Sequence, residues 1–391
     1  MSDVIVVGGG PAGSATALLL ARRGIDVTLI ERARFPRRKV CGEYQNAGVV
    51  NTLERLGILD AVRPASFPLR GLRLVPPGAS AVELPFASEA LACDRATFDA
   101  LLLDAAQAAG VRVEHGRVED VYFEEMRVAG VAIRDEEGNM RRRSARYIVG
   151  ADGSGSIVAR KLGLTRPSRG VRRFAVGGHY TGFGDLDGYI EMYVGRGAYF
   201  ALNPLGGGKT NVMVVVPQAA LARWSADVDE GVRGKAAELG DGHRSFAGAL
   251  RVGERVSIGP LSHQVRSPIA PGALLVGDAA GFMNPFTGQG VYLALAGAEA
   301  ASAAILAALA DRSAETRECS AYARERVKDF TARTRLSAMI SMLISFPPLA
   351  RRAVARLHRF PQAGTALLDA VAGARSPQSA IHPAVIGRLL F

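Results

Sequence analysis

Asp3-Val4-Ile5-Val6-Val7-Gly8-Gly9-Gly10-Pro11-Ala12-Gly13 decides how the rest of the chain is read. A short β-branched run feeds three spaced glycines, Gly8, Gly10 and Gly13, and a helical stretch then runs from Pro11 to Arg23. In such a turn the first glycine permits the tight bend. The second lets the backbone approach a pyrophosphate, and the third lets helix and strand pack closely. Gly24 suits the C-terminal cap of that helix. A second β-branched run, Ile25 to Ile30, ends at Glu31, 18 residues beyond Gly13. A carboxylate there accepts hydrogen bonds from a ribose and repels a 2′-phosphate, so FAD or NAD fits this unit better than NADP.

Outward from this βαβ unit the pattern alternates. Asp94 to Ala109 has helical spacing, with Phe98, Leu101, Leu102 and Ala105 on one face. Ala145 to Gly150 reads as a strand running into Asp152-Gly153. Leu274 to Gly277 reads as another, delivering Asp278 to its tip before a Gly288–Gly290 turn and a long Ala-rich helix. Residues 71–90 and 171–258 are β-rich, with Tyr189–Val194 and Asn211–Val216 as examples. These patterns predict an α/β fold: a Rossmann-like, three-layer ββα domain built from 1–70, 91–170 and 259–320. A mixed β-sheet domain is inserted as 71–90 and 171–258, and a basic helical region covers 321–391.

Composition removes several classes. With 48% hydrophobic and 22% charged residues the 391-residue chain has an ordinary globular balance. No uninterrupted apolar run reaches about 18 residues, so no transmembrane helix is expected. The N-terminus lacks a basic n-region and a cleavage site. Cys41, Cys93 and Cys319 are widely spaced and odd in number, which argues against a disulfide framework or a CxxC zinc site and fits a reducing cytoplasm. No two histidines have metal-ligand spacing, so no metal is expected. The net charge is +11, and Thr331–Phe391 alone, with eight arginines and Asp369, carries +7 of it. The basic residues lack the interleaved aromatics of a nucleic-acid platform, so no nucleic acid is expected as partner.

The three glycine-rich segments, Gly8-x-Gly10-x-x-Gly13 with Glu31, Ala151–Ser156 and Gly277–Gly290, occur in one order and spacing. Over residues 3 to about 310 the chain resembles the FAD-dependent oxidoreductases of the geranylgeranyl reductase and aromatic hydroxylase (class A flavin monooxygenase) superfamily. The resemblance implies FAD as cofactor and a reduced pyridine nucleotide, NAD(P)H, as electron donor. It places the cofactor against Gly8, Gly10, Pro11, Ala12, Gly13, Glu31, Arg32, Val118, Asp152, Gly153, Gly277, Asp278, Pro285, Gly288, Gly290 and Val291. Asp278 would bond the ribityl chain, and the helix opening at Gly290 would direct its positive end at the flavin.

Two further stretches resemble the geranylgeranyl reductase-like branch. Lys39-Val40-Cys41-Gly42-Glu43 is similar to a segment that runs over the flavin, which brings in Cys41, Gly42 and Glu43. Asp94-Arg95-x-x-Phe98-Asp99 is similar to a helix start whose arginine, here Arg95, contacts the cofactor. Tyr193, Tyr199 and Phe200 fall in the strands that would close the substrate pocket. Leu202-Asn203-Pro204 departs there from the family's Phe-Pro, and the single Trp224 excludes the Trp-x-Trp-x-Ile-Pro segment of halogenases. Cys41, Glu43, Tyr199 and Phe200 are therefore the candidate catalytic side chains, with Glu43 either holding a proton or anchoring its loop. His179 reads as a structural histidine more than a functional one.

The reaction expected is electron transfer from NAD(P)H through flavin to a hydrophobic small molecule (prenyl, polyketide or aromatic), ending in hydride transfer or oxygenation. A flavin carrier without turnover is the alternative from another class. Between Pro348 and Pro361, Leu349, Ala350, Ala353, Val354, Leu357 and Phe360 share one arc. Arg351, Arg352, Arg356 and Arg359 lie opposite. Such a helix either caps the fold, covers a lipophilic channel or touches a membrane peripherally. The sequence assigns no oligomeric state.

Overall fold

The computed structural model describes residues 2–76, 80–167, 172–195, 198–226, 229–232, 246–282 and 285–380. Met283 and Asn284 of the third glycine-rich segment and the tail 381–391 lie outside these. Two sheets organise the chain. The first has the strand order 269–270, 273–275, 140–150, 2–7, 27–31, 112–115, parallel from 273–275 onward. Ser2–Val7 sits at its centre, with Val4, Ile5, Val6 and Val7 buried on both faces. Two-sided burial is why this strand reads as a continuous apolar run instead of an alternating one. Arg117–Glu124, Arg127–Arg134 and Met140–Gly150 form an antiparallel meander on one side, which the sequence reading left undivided.

Helices cover the other side. Helix α1 (Pro11–Ala21) follows the first strand, and α2 (Arg95–Ala108) is capped by Asp94, whose Oδ1 accepts from Ala96 N at 2.9 Å. Helix α3 (Gly290–Ala310) packs between α1 and the 31-residue α4 (Glu315–Ser345). By length and composition α3 is apolar enough to cross a membrane. Its Leu295, Ala298, Ala301 and Ile305 are instead buried in the domain core. Burial of each such large aliphatic side chain contributes about 1.5–3 kcal/mol.

The second sheet is mixed, in the order 250–258, 173–181, 209–217, 199–206, 189–194, 67–75, 82–92, 44–45, with 189–194 and 67–75 parallel. Two of its strands, Phe67–Val75 and Val82–Ala92, reach a few residues beyond the 71–90 bounds expected from sequence. One face carries Tyr180, Tyr193 and Phe200 packed with Phe246. The opposite face carries Leu74, Leu84, Met192, Tyr199 and Val215, which pack on α5 (Pro347–Arg359) and α6 (Pro361–Val371). Arg73 is buried within this sheet, with Nη1 2.6 Å from the fully buried Glu191 and Nη2 2.7 Å from Glu83.

Arg73→Ala would remove the guanidinium that pairs with the fully buried Glu191. It is expected to cost about 3–5 kcal/mol, read as a shift in the urea unfolding midpoint, whereas exposed Arg34→Ala should shift it by less than about 0.5 kcal/mol.

Candidate active site

Between the two sheets lies a cavity of about 960 Å³, at the upper end for ligand and cofactor sites. Its first half is glycine-rich. Gly8 has φ +104° and Gly13 touches it so closely that a Cβ would sit 1.8 Å from Gly8 O. At Gly10, by contrast, the nearest atom to such a Cβ is Arg37 Nη2 at 3.6 Å, so the space is open to a ligand. Helices α1 and α3 both start at this cavity, behind Gly10 and Gln289, and neither has a side-chain cap. Uncapped first-turn N–H groups and the dipole make each a place for negative charge.

The expected cofactor residues line this cavity, Val118, Pro285 and Val291 among them, with one exception. Gly13 is behind the turn and serves its packing. Glu31 is 7% exposed and accepts from Gly9 N (2.7 Å) and Ala33 N (2.8 Å). Asp152 lines the cavity and also holds the local backbone. Its Oδ1 accepts from Ser156 Oγ at 2.6 Å and its Oδ2 from Ile157 N at 2.7 Å, so the carboxylate caps the short helix Ile157–Lys161. Asp278 opens onto the cavity at depth. Burial raises its carboxyl above the ordinary value, opposed by Lys39, Arg95 and Arg326. Burial likewise pushes the Lys39 ammonium down, with Asp278 opposing. The Coulombic influence of Lys39 on Asp278 brings the Lys-x-Cys-Gly-Glu stretch into the electrostatics of this half.

The Cys41–Glu43 strap crosses from the first sheet to the second. Glu43 is 3% exposed with φ +57°, a conformation few non-glycine residues adopt. Three donors hold its carboxylate: Arg95 N at 3.0 Å, Asn211 Nδ2 at 2.6 Å and His179 Nε2 at 2.8 Å. A guanidinium only donates. Arg38 Nη2, 3.0 Å from His179 Nδ1, therefore makes Nδ1 the acceptor and leaves the imidazole proton on Nε2, facing Glu43. Asn211 also donates to Cys41 O (2.9 Å) and Asn203 to Gly42 O (2.8 Å). Glu43 thus anchors the strap. Asn203, from the stretch that departs from the family's Phe-Pro, ties down the same loop.

Glu43, Asp94 and His179 place their ligand atoms within 4.8 Å of one another. Arg38 and Lys209, whose Nζ is 3.1 Å from Asp94 Oδ2, supply the balancing positive charge there. Arg95 is buried and bidentate to Asp99 (2.7 Å twice), with the Cys41 thiol against its guanidinium. Cys93 and Cys319 are buried, and burial pushes both thiols up to about 11.

The second half of the cavity is apolar. Tyr199 faces it, edge-on to Phe286 at 4.9 Å. Phe200 and Tyr193 do not, because strand alternation turns them to the opposite face, against Phe246. Phe200 is corrected from a candidate catalytic residue to a core aromatic. The roof comes from the C-terminal helices: Ile340 and Leu343 of α4, Val354 and Leu357 of α5, Leu368 and Val371 of α6. The apolar arc of the basic helix therefore points inward.

A family model described as an FAD binding domain matches residues 1–336. The chain belongs to that FAD-binding family. It is a flavoprotein enzyme of the superfamily that holds FAD-dependent reductases, hydroxylases and halogenases. A menaquinone reductase of Mycolicibacterium smegmatis is 30% identical over 308 residues, 74% of this flavoprotein and 73% of the relative. A digeranylgeranylglycerophospholipid reductase of Methanopyrus kandleri is 33% identical over 313 residues, 75% and 77% of the two chains. Among solved structures, the myxobacterial chondrochloren halogenase CndH matches at TM-score 0.82 and 27% identity, covering 100% of this flavoprotein and 95% of that chain.

Asp278→Asn separates cofactor binding from folding. A carboxyl whose folded pKa is raised binds more protons folded than unfolded, so its ionisation costs stability as pH rises above about 4. The apo-variant should melt higher than wild type at pH 7 and equally near pH 3, while FAD affinity falls at least about tenfold. Thermal melts at both pH values and flavin titration read the two effects.

Proposed function

We propose that this flavoprotein is an NAD(P)H-dependent reductase of a lipophilic small molecule, of the geranylgeranyl reductase-like branch. The observation that carries the reading is the apolar half of the cavity, roofed by α4, α5 and α6 beside the glycine-rich half. The identity to a menaquinone reductase and to a digeranylgeranylglycerophospholipid reductase supports the same direction.

The residues present fit FAD. The open face at Gly10 and the first-turn amide of Ala12 take the pyrophosphate. Glu31, fixed by Gly9 and Ala33, keeps further lone pairs for the adenosine ribose. Asp278, balanced by Lys39, faces the ribityl chain, and Gly288–Gly290 brings the α3 N-terminus to the ring. When bound, FAD supplies transfer of an electron pair between the nicotinamide donor and the substrate. The chain's part is to orient and to exclude water. Arg95 and Glu43 hold the Cys41–Gly42 strap over the cofactor place, and Cys41 is the thiol nearest the junction of the two halves. Tyr199 and Phe286 form the wall where the substrate's reacting end lies. Burial raises the Tyr199 hydroxyl far above its ordinary value, so it acts as a neutral, dry surface.

The test is anaerobic stopped-flow. NADH or NADPH should bleach the flavin, and a prenylated naphthoquinone should restore the colour without O₂. Recovery that requires O₂ and yields a hydroxylated product would contradict the reductase reading and support oxygenation. Val354→Asp, a charge placed in the roof, should raise KM for the quinone at least tenfold and leave flavin bleaching by the donor unchanged.

A further inference from the structure

The outer surface of the cavity roof combines two features that the active site does not use. Met342 is 63% exposed and Phe346 is 56% exposed, at the elbow where α4 gives way to α5. Arg335, Arg351, Arg352 and Arg359 are also exposed on these two helices. Asp369 is the sole acid between Phe330 and Ala380, and it is buried at 8% exposure with Arg375 Nε 3.2 Å away. The patch is therefore cationic with two apolar tips.

We propose that this α4–α5 elbow docks on the surface of an anionic phospholipid bilayer. The proposal rests on the reading of a lipophilic substrate. Ile340 and Leu343 face the cavity on the inner side of the helix whose outer side carries Met342. Docking by this wall sets the substrate pocket a single helix layer from the phase in which such a molecule dissolves. Charge complementarity points the same way. Each arginine near an anionic leaflet strengthens partitioning about fivefold, within a Debye length of about 8–10 Å.

The geometry also limits the mode. The apolar arc of α5, from Ala350 to Leu357, is spent on the cavity. The helix therefore cannot lie in the interface by inserting that arc, as an amphipathic anchor would. Among the described side chains, Met342 and Phe346 are the apolar tips that enter the headgroup region, so the contact is shallow, reversible and salt-sensitive.

The test is co-sedimentation of the full flavin-loaded chain with vesicles. One set is phosphatidylcholine alone, the other phosphatidylcholine with phosphatidylglycerol, each at low and high salt. Binding is expected to the anionic vesicles at low salt and to fall sharply at high salt. The Arg351→Glu/Arg352→Glu pair should lower partitioning about thirtyfold or more. Phe346→Ser, an exposed change, should lower it by a smaller factor. Arg141→Glu/Arg142→Glu, on the distant meander, should leave it near wild type. No binding to anionic vesicles overturns the proposal. So does an equal loss from the meander pair. A patch that instead drives concentration-dependent self-association in gel filtration overturns it in favour of a second copy. Vesicle binding reads without turnover: a yellow chain that ignores vesicles sinks this inference alone. A colourless chain sinks the flavin reading and leaves the vesicle result standing.

Discussion

The buried carboxylate of Glu43 is the contact on which the arrangement depends. It accepts from the first residue of α2, and from His179 and Asn211 on neighbouring strands of the second sheet. One side chain thus joins helix α2 beside the first sheet to two strands of the second. The joint lies at the loop that separates the two halves of the cavity. A carboxylate with three donors, two of them on the second sheet, strongly disfavours any other placement of the strap. The positive φ at Glu43 is the local cost of that placement, and the three hydrogen bonds hold it there.

From that joint the cavity acquires its two characters. The glycine-rich half collects helix N-termini and cationic side chains, an environment for pyrophosphate. The half beyond Tyr199 collects aliphatic side chains from a sheet face and three helices. A carboxylate, Asp278, sits deep in the first half at a cost to the apoprotein. Such costs recur where a binding group is kept for its ligand and not for the fold.

Much of this was legible in the sequence because it depends on local chemistry. Gly8, Gly10 and Gly13 announce a backbone approach, and Glu31 marks the strand end. Asp94 gives the start of α2, and Tyr189–Val194 emerges as the strand read from it. What was not legible depends on direction in space. Strand alternation decides that Tyr199 and not Phe200 faces the cavity, but the sequence alone does not say which parity is inside. That Asp152 also caps a short helix is visible only in three dimensions. The arc of Ala350, Val354 and Leu357 was plain at 100° per residue. What it packs against was not, since a roof, a cap and a membrane anchor share one periodicity. His179 reads as structural more than functional, and the partner that holds it, Glu43, lies 136 positions away.

The central claim is that the glycine-rich half of this cavity is a built FAD site. Reconstitution of the stripped chain with FAD, followed by gel filtration, tests it most directly. The account predicts flavin absorbance co-eluting with the folded chain at one equivalent. A folded chain that elutes without flavin after exposure to excess FAD would contradict it.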